Sequence, residues 1–130
     1  MVFDTSALLA ILFDEPERRA FTEAIEATEV RLLSAASFVE ASMILESRLG
    51  AEGVRALDRL LAAANIEIIA VDLPQAHAAR EAFRQFGKGR HPAGLNFGDC
   101  FSYALAKARS EPLLFKGGDF SQTDILLPQL

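Results

Sequence analysis

Apolar residues fall in two rhythms along this chain, short unbroken runs and longer stretches with helical spacing, and the two alternate from one end to the other. Met1-Val2-Phe3 is an apolar run that stops at Asp4-Thr5-Ser6, a polar triplet with helix-capping chemistry, and Ala7 to Phe13 then reads as a short buried helix. Glu15-Pro16-Glu17 opens a second helix through about Ala27, with Pro at an early helical position and acids near the positive end of the dipole. Val30 to Leu33 is a second short β-type run. Ser34 starts a helix to Leu49, stopped by Gly50, and another helix spans about Ala51 to Ala64. The β-branched run Ile66 to Val71 is the clearest strand. Pro74 begins a helix that Gly87 ends, and Lys88 to Gly94 reads as a loop. Asn96 caps a helix from Phe97 to about Arg109, Leu113 to Phe115 is a buried strand, and Gly117-Gly118 turns the chain before Asp119. Strands alternating with helices predict an α/β fold whose mainly parallel sheet is covered on both faces.

Length narrows this to one domain over residues 1–130, with no internal repeats or low-complexity tracts. A hydrophobic fraction of 51% leaves apolar surface for an interface beyond the core, so a homodimer or a partner is expected. The net charge of −5 argues against a generic basic nucleic-acid binder. Cys100 is the only cysteine, which excludes an internal disulfide and a cysteine-based zinc site and fits a reducing cytoplasm. No apolar stretch reaches the ~20 residues of a membrane span, and no signal-peptide pattern opens the chain.

Four acids change the picture. Asp4 follows the first apolar run, where a strand delivers a side chain to the carboxyl edge of a sheet, the ligand crevice of open α/β folds. Glu40 shares its helix face with Ala36, Ser37, Met43, Ile44 and Ser47, a small and mostly apolar set among which a lone Glu is unusual. Asp99 stands at a helix start, and Asp119 follows the Gly pair. Each has an ordinary reading alone: Asp4 as an N-cap, Asp99 as the capping-box partner of Asn96, Asp119 as a turn residue. Together they fit a cluster around Mg²⁺ or Mn²⁺, hard cations that take oxygen ligands and relieve the repulsion among gathered carboxylates.

Val2-Phe3-Asp4-Thr5-Ser6-Ala7-Leu8, Ser37-Phe38-Val39-Glu40-Ala41, Leu95-Asn96-Phe97-Gly98-Asp99-Cys100 and Leu114-Phe115-Lys116-Gly117-Gly118-Asp119-Phe120 resemble the PIN-domain ribonucleases, and more narrowly the VapC toxins of bacterial toxin–antitoxin pairs. The likeness extends to the Gly87-Lys88-Gly89-Arg90-His91 loop and to Thr123-Asp124-Ile125. It implies a three-layer α/β/α PIN-like domain, a dimer, an antitoxin of VapB type in a toxin–antitoxin hetero-oligomer, and Mg²⁺-dependent RNA cleavage, with Mn²⁺ able to substitute. Its metal site falls on Asp4, Glu40, Asp99 and Asp119. Asp4 and Asp99 are the expected direct ligands; Glu40 and Asp119 are expected to bind a second ion or orient waters. Thr5, Ser6, Thr123 and Asp124 are candidates to support the cluster by hydrogen bonds, although Asp124 also reads as a residue that ends the last turn. Lys88, Arg90, His91 and Lys116 are candidates to hold RNA phosphates.

Two other classes compete. A receiver-type Mg²⁺-binding phosphoacceptor is similar in length and class, but it places adjacent acids after its first strand, whereas Asp4 stands alone and Val71-Asp72 leads into Pro74. A non-catalytic RNA-binding module is the third reading, and metal-dependent loss of RNA separates it from a nuclease.

Overall fold

The structure is a computed structural model that describes residues 1–130. Strand β1 (Val2–Phe3) leads into α1 (Thr5–Leu12) and α2 (Arg18–Ala27); β2 (Leu32–Ser34) is followed by α3 (Ala35–Leu49) and α4 (Ala51–Ala63); β3 (Glu67–Ile69) leads into α5 (Leu73–Phe86) and α6 (Phe97–Arg109), and β4 (Leu113–Leu114) precedes a single 3-10 turn at Phe120–Gln122. The strands form one all-parallel sheet in the order β3-β2-β1-β4. Val2 is in register with both Leu32 and Leu113, and Phe3 with Leu114.

Successive strand residues point to opposite faces, and the two faces carry two cores. Phe3, Leu33 and Leu114 pack with Leu8, Phe21, Leu45 and Leu57 from α1 to α4. Val2, Leu32, Leu113 and Ile69 pack with Ala79, Ala82, Tyr103 and Leu105 from α5 and α6. Helices therefore cover both faces, as the alternation of runs predicts.

Several boundaries shift for identifiable reasons. The expected strand over 66–71 narrows to Glu67–Ile69, because β3 is an edge strand bonded only to β2, with Glu67 and Ile68 open to solvent. The first helix starts at Thr5, with Asp4 as its N-cap accepting from the Ser6 amide at 3.0 Å. The second helix begins at Arg18 with Glu17 as its N-cap, so Glu15-Pro16-Glu17 stands at the helix start as its pattern predicts, and Glu15 and Glu17 also face the Lys116 ammonium. Asp72 caps α5 through the Gln75 amide at 2.9 Å, one residue ahead of Leu73-Pro74.

The chain leaves β1 toward β2 on one side and returns to β4 on the other, so the order reverses beside β1. Ligand crevices of open parallel sheets lie outside the carboxyl ends of the strands at such a reversal. Asp4 is the residue that follows β1, and the segment after β4 carries Lys116 to Asp119.

Candidate metal centre

Asp4 is built in from both sides. It is 4% exposed, and its amide donates to the Leu114 carbonyl at 2.9 Å, which ties the end of β1 to β4. Its Oδ2 accepts from the Ser6 amide at 3.0 Å and the Ser6 hydroxyl at 2.6 Å; its Oδ1 accepts from the Ser102 hydroxyl at 2.6 Å. The capping role of Asp4 leaves room for a further ligand, since a carboxylate oxygen has lone pairs beyond those the caps use.

Asp99 lies at the first turn of α6, which starts at the carboxyl edge of the sheet because helices between parallel strands run against them. The capping box is complete: the Asp99 amide donates to Asn96 Oδ1 at 2.9 Å and the Asn96 amide donates to Asp99 Oδ2 at 3.0 Å. Desolvation nevertheless pushes the Asp99 carboxyl up to about 6, and the charges of Asp4, Glu40 and Asp119 push it the same way against the Asn96 amide. Four acids from four separate segments therefore share one electrostatic environment.

Glu40 is half-buried on α3, less enclosed than its small and apolar neighbours imply, because Val39 and Met43 beside it face solvent. Its carboxylate lies against the backbone of Gly98, where a Cβ would collide with Oε1 and Oε2 alike. A glycine one residue before Asp99 is what lets the α3 carboxylate approach the α6 start. Asp119 is exposed and precedes the 3-10 turn.

The supporting residues divide. Ser6 bonds Asp4 directly, and its hydroxyl accepts the Lys116 amide at 3.0 Å, so it links the carboxylate to the β4 segment. Thr5 reaches the Ser37 carbonyl at 3.3 Å and acts on the position of α3. Thr123 bonds the Phe120 carbonyl at 2.6 Å and receives the Ile125 amide at 3.3 Å, both within its own turn. Asp124 stands away from the cluster: the Tyr103 hydroxyl donates to it at 2.6 Å and the Lys107 ammonium lies 3.0 Å from it. The Tyr103 bond, then Lys107, hold its carboxyl below the usual range. It clamps the C-terminal segment onto the far end of α6, which is the structural alternative stated for it above.

The basic candidates are spread out. The Lys116 ammonium pairs with Glu15 and Glu17. Arg90 lies over the Phe83 ring at 5.5 Å, Lys88 is exposed, and His91 folds the loop, its Nδ1 accepting the Ala93 amide at 3.0 Å while its ring packs edge-on to Phe86. Sequence reasoning missed Ser37, Gly98 and Ser102. The signal was spacing: Ser37 precedes Glu40 by three residues and Ser102 follows Asp99 by three, which sets each pair on one helix face.

The donor set suits a hard divalent cation. It consists of carboxylates alone, mutually repelled, with one of them held against ionisation. No three acidic, His or Cys side chains converge into a cage. Mg²⁺ does not require one, since it keeps several waters and usually takes one or two carboxylates.

The comparisons agree with this architecture. The PIN domain family model matches residues 1–126. Ribonuclease VapC30 of Mycobacterium tuberculosis is 55% identical over 125 residues, covering 96% of this chain and 95% of that protein. Ribonuclease VapC of Mycolicibacterium smegmatis is 54% identical, covering 96% and 97%. Among solved structures, the sarcin-ricin loop cleaving toxin VapC20 of Mycobacterium tuberculosis superposes with a TM-score of 0.80 at 17% identity, covering the whole of both chains. A chain of a toxin–antitoxin complex from Klebsiella pneumoniae gives 0.67 at 21% identity, covering 95% of this chain and 92% of that one. The chain belongs to the PIN-domain family and, within it, to the VapC ribonucleases.

Proposed function

We propose that this chain is a Mg²⁺-dependent endoribonuclease, with Mn²⁺ able to substitute, and that it is the toxin of a toxin–antitoxin pair working in a reducing cytoplasm. The observation that supports the metal dependence is the approach of carboxylates from separate elements: Asp4 is buried at the end of β1 and the Glu40 carboxylate lies against Gly98, the residue before Asp99, where burial and the neighbouring charges push the Asp99 carboxyl up in a way a divalent cation would relieve. Asp4 and Asp99 would hold the ion, and Glu40 and Asp119 would bind a second ion or orient its waters. When bound, the metal makes a water nucleophilic near neutral pH and offsets charge on the phosphate.

The remaining work falls to the protein. Ser6 and Ser102 hold the two oxygens of Asp4, and the Asn96 capping box fixes Asp99 at the start of α6. No side chain needs to serve as nucleophile. Lys88 and Arg90 are open to solvent and would contact RNA phosphates; Lys116 would do so only after leaving Glu15 and Glu17, and its amide already supports Ser6.

The regulatory half of the proposal rests on the relatives and on the surface beside the acids. Val39, Met43 and Phe97 are exposed apolar side chains flanking Glu40 and Asp99. A VapB-like antitoxin would seat apolar residues there and aim an Arg or Lys at the carboxylates, which a guanidinium can engage bidentately. A homodimer and a toxin–antitoxin hetero-oligomer are the assemblies this implies. No helix is long and apolar enough to cross a membrane.

The test is cleavage of RNA by the purified chain. A chelator should abolish it, and Mg²⁺ or Mn²⁺ should restore it; chelator-resistant cleavage would refute the metal dependence. Expression alone should arrest growth and co-expression of the neighbouring small protein should relieve the arrest, whereas harmless expression without that partner would refute the toxin role.

A further inference from the structure

We propose that Ser102, oriented by Ser37, is a positioning residue that sets the Asp4 carboxylate and the spacing of the two helices carrying Glu40 and Asp99, and so determines how tightly the cluster holds a divalent ion. The proposal rests on the metal-dependent reading above.

Ser37 and Ser102 are 1% and 0% exposed. A serine inside a helix ordinarily returns its hydroxyl to the carbonyl one turn back, as Ser42 does to Phe38 at 2.7 Å. These two reach across instead. The Ser102 hydroxyl lies 2.6 Å from Asp4 Oδ1, a length typical of a hydroxyl donating to a carboxylate. A serine has one hydroxyl proton, so Ser102 has none left for Ser37, 3.1 Å away. Ser37 must therefore be the donor in that pair, and the chain runs Ser37 to Ser102 to Asp4. The Ser37 carbonyl in turn accepts the Thr5 hydroxyl at 3.3 Å, and Thr5 is the residue after Asp4, so the bonds close a ring through Asp4, α1, α3 and α6.

The placement of the two serines gives the ring its consequence. Ser37 lies one helical turn from Glu40 on α3, and Ser102 one turn from Asp99 on α6. The bond between them is a buried polar contact between the two helices, and it ends on the third carboxylate. One chain of three side chains thus fixes the relative positions of Asp4, Glu40 and Asp99. Alanine at 102 would leave Oδ1 of a buried carboxylate without its donor and Ser37 without its acceptor.

Mn²⁺ titration of the full chain by calorimetry, with no RNA present, tests this. Ser102→Ala should weaken Mn²⁺ binding by roughly 10–100-fold, the usual effect of losing a hydrogen bond that orients a metal ligand. Ser37→Ala should weaken it less, because Ser102 still donates to Asp4. In an Asp4→Asn background, adding Ser102→Ala should weaken the remaining affinity by less than it does in the parent, because the bond to the Asp4 carboxylate is already gone and only the contact with Ser37 between α3 and α6 is left to lose. A merely structural serine would lower the melting temperature in chelator and leave Mn²⁺ affinity alone; a folded Ser102→Ala protein binding Mn²⁺ as the parent does would overturn the proposal. If Ser102→Ala does not fold, Ser102→Cys, with similar volume and a weak donor, carries the same comparison with the same two outcomes. A parent chain that binds no Mn²⁺ would refute the metal-dependent reading itself, which separates the two failures.

Discussion

Replacing Asp99 by Asn should stabilise the metal-free protein, and only above the pH at which Asp99 ionises. In the folded chain this carboxyl gives up its proton at about 6, chiefly because of burial and then because of Asp4, Glu40 and Asp119. In the unfolded chain it does so at about 3.9. Between those values the folded protein binds more protons than the unfolded one, so stability falls as pH rises from about 4 to about 6 and then levels off. At roughly 1.4 kcal/mol per tenfold change in proton affinity, the ceiling on this loss is about 3 kcal/mol. Asp99 is only half-buried, so solvent screening reduces it to about 1–2 kcal/mol. Asparagine carries no charge, yet its carbonyl can still accept the Asn96 amide that Asp99 accepts at 3.0 Å. In chelator, urea unfolding followed by far-UV circular dichroism should find Asp99→Asn more stable by about 1–2 kcal/mol near pH 7.5 and equal to the parent near pH 4. A variant less stable than the parent near pH 7.5 would mean that the charge on the capping carboxylate outweighs the repulsion, and the clustered-carboxylate account of Asp99 would be wrong. Asp4→Asn should show the opposite sign, a loss of at least about 1 kcal/mol, because asparagine offers one acceptor oxygen where the carboxylate offers two, so at least one of the three bonds donated to Asp4 is lost and the rest become neutral.

Two further outcomes follow from the site's surroundings. Gly98→Ala should cut RNA cleavage by at least about tenfold, because a Cβ there displaces the Glu40 carboxylate, while the melting temperature holds or rises, alanine being the better helix residue by roughly 0.5–1 kcal/mol; unchanged turnover would show that Glu40 can be moved without consequence. Lys88→Ala with Arg90→Ala should make the logarithmic salt dependence of RNA binding shallower by about 1.4, for two lost phosphate contacts at ~0.7 each; an identical slope would assign that loop a role in solubility.

Much of the fold was legible because it depends on local signals. The apolar run ending at Asp4, the Asn96 to Asp99 capping box and the glycine stops at Gly50 and Gly87 each have a mechanism within a few residues, and each appears in the structure. The extent of β3 was not legible, since an edge strand is as long as the neighbour it pairs with. Asp124 shows the same limit in the site: its partners Tyr103 and Lys107 are 21 and 17 residues away, and nothing near Asp124 in the chain announces them. Glu15-Pro16-Glu17 announced the start of α2, but not the ion pairs of Glu15 and Glu17 with Lys116, which stands 101 residues from Glu15. Spacing sets Ser37 and Ser102 on the faces of Glu40 and Asp99, but their bonds to each other and to Asp4 emerged only when α3 and α6 were brought face to face. Asp4, Asp99 and Asp119 were legible because each stands where an element ends or begins, whereas Glu40, inside α3, was legible only as an acid on a small and mostly apolar helix face.

The ends left on cleaved RNA test the central claim most directly. If carboxylate-bound metal delivers water to phosphorus and the 3′-oxygen leaves, every product carries a 5′-phosphate and a 3′-hydroxyl. The account predicts those ends on RNA cut by the purified chain in Mg²⁺, and none from Asp99→Asn. Products ending in 2′,3′-cyclic phosphate with 5′-hydroxyls would show that the RNA's own 2′-hydroxyl attacks, and would contradict hydrolysis at the four-carboxylate centre.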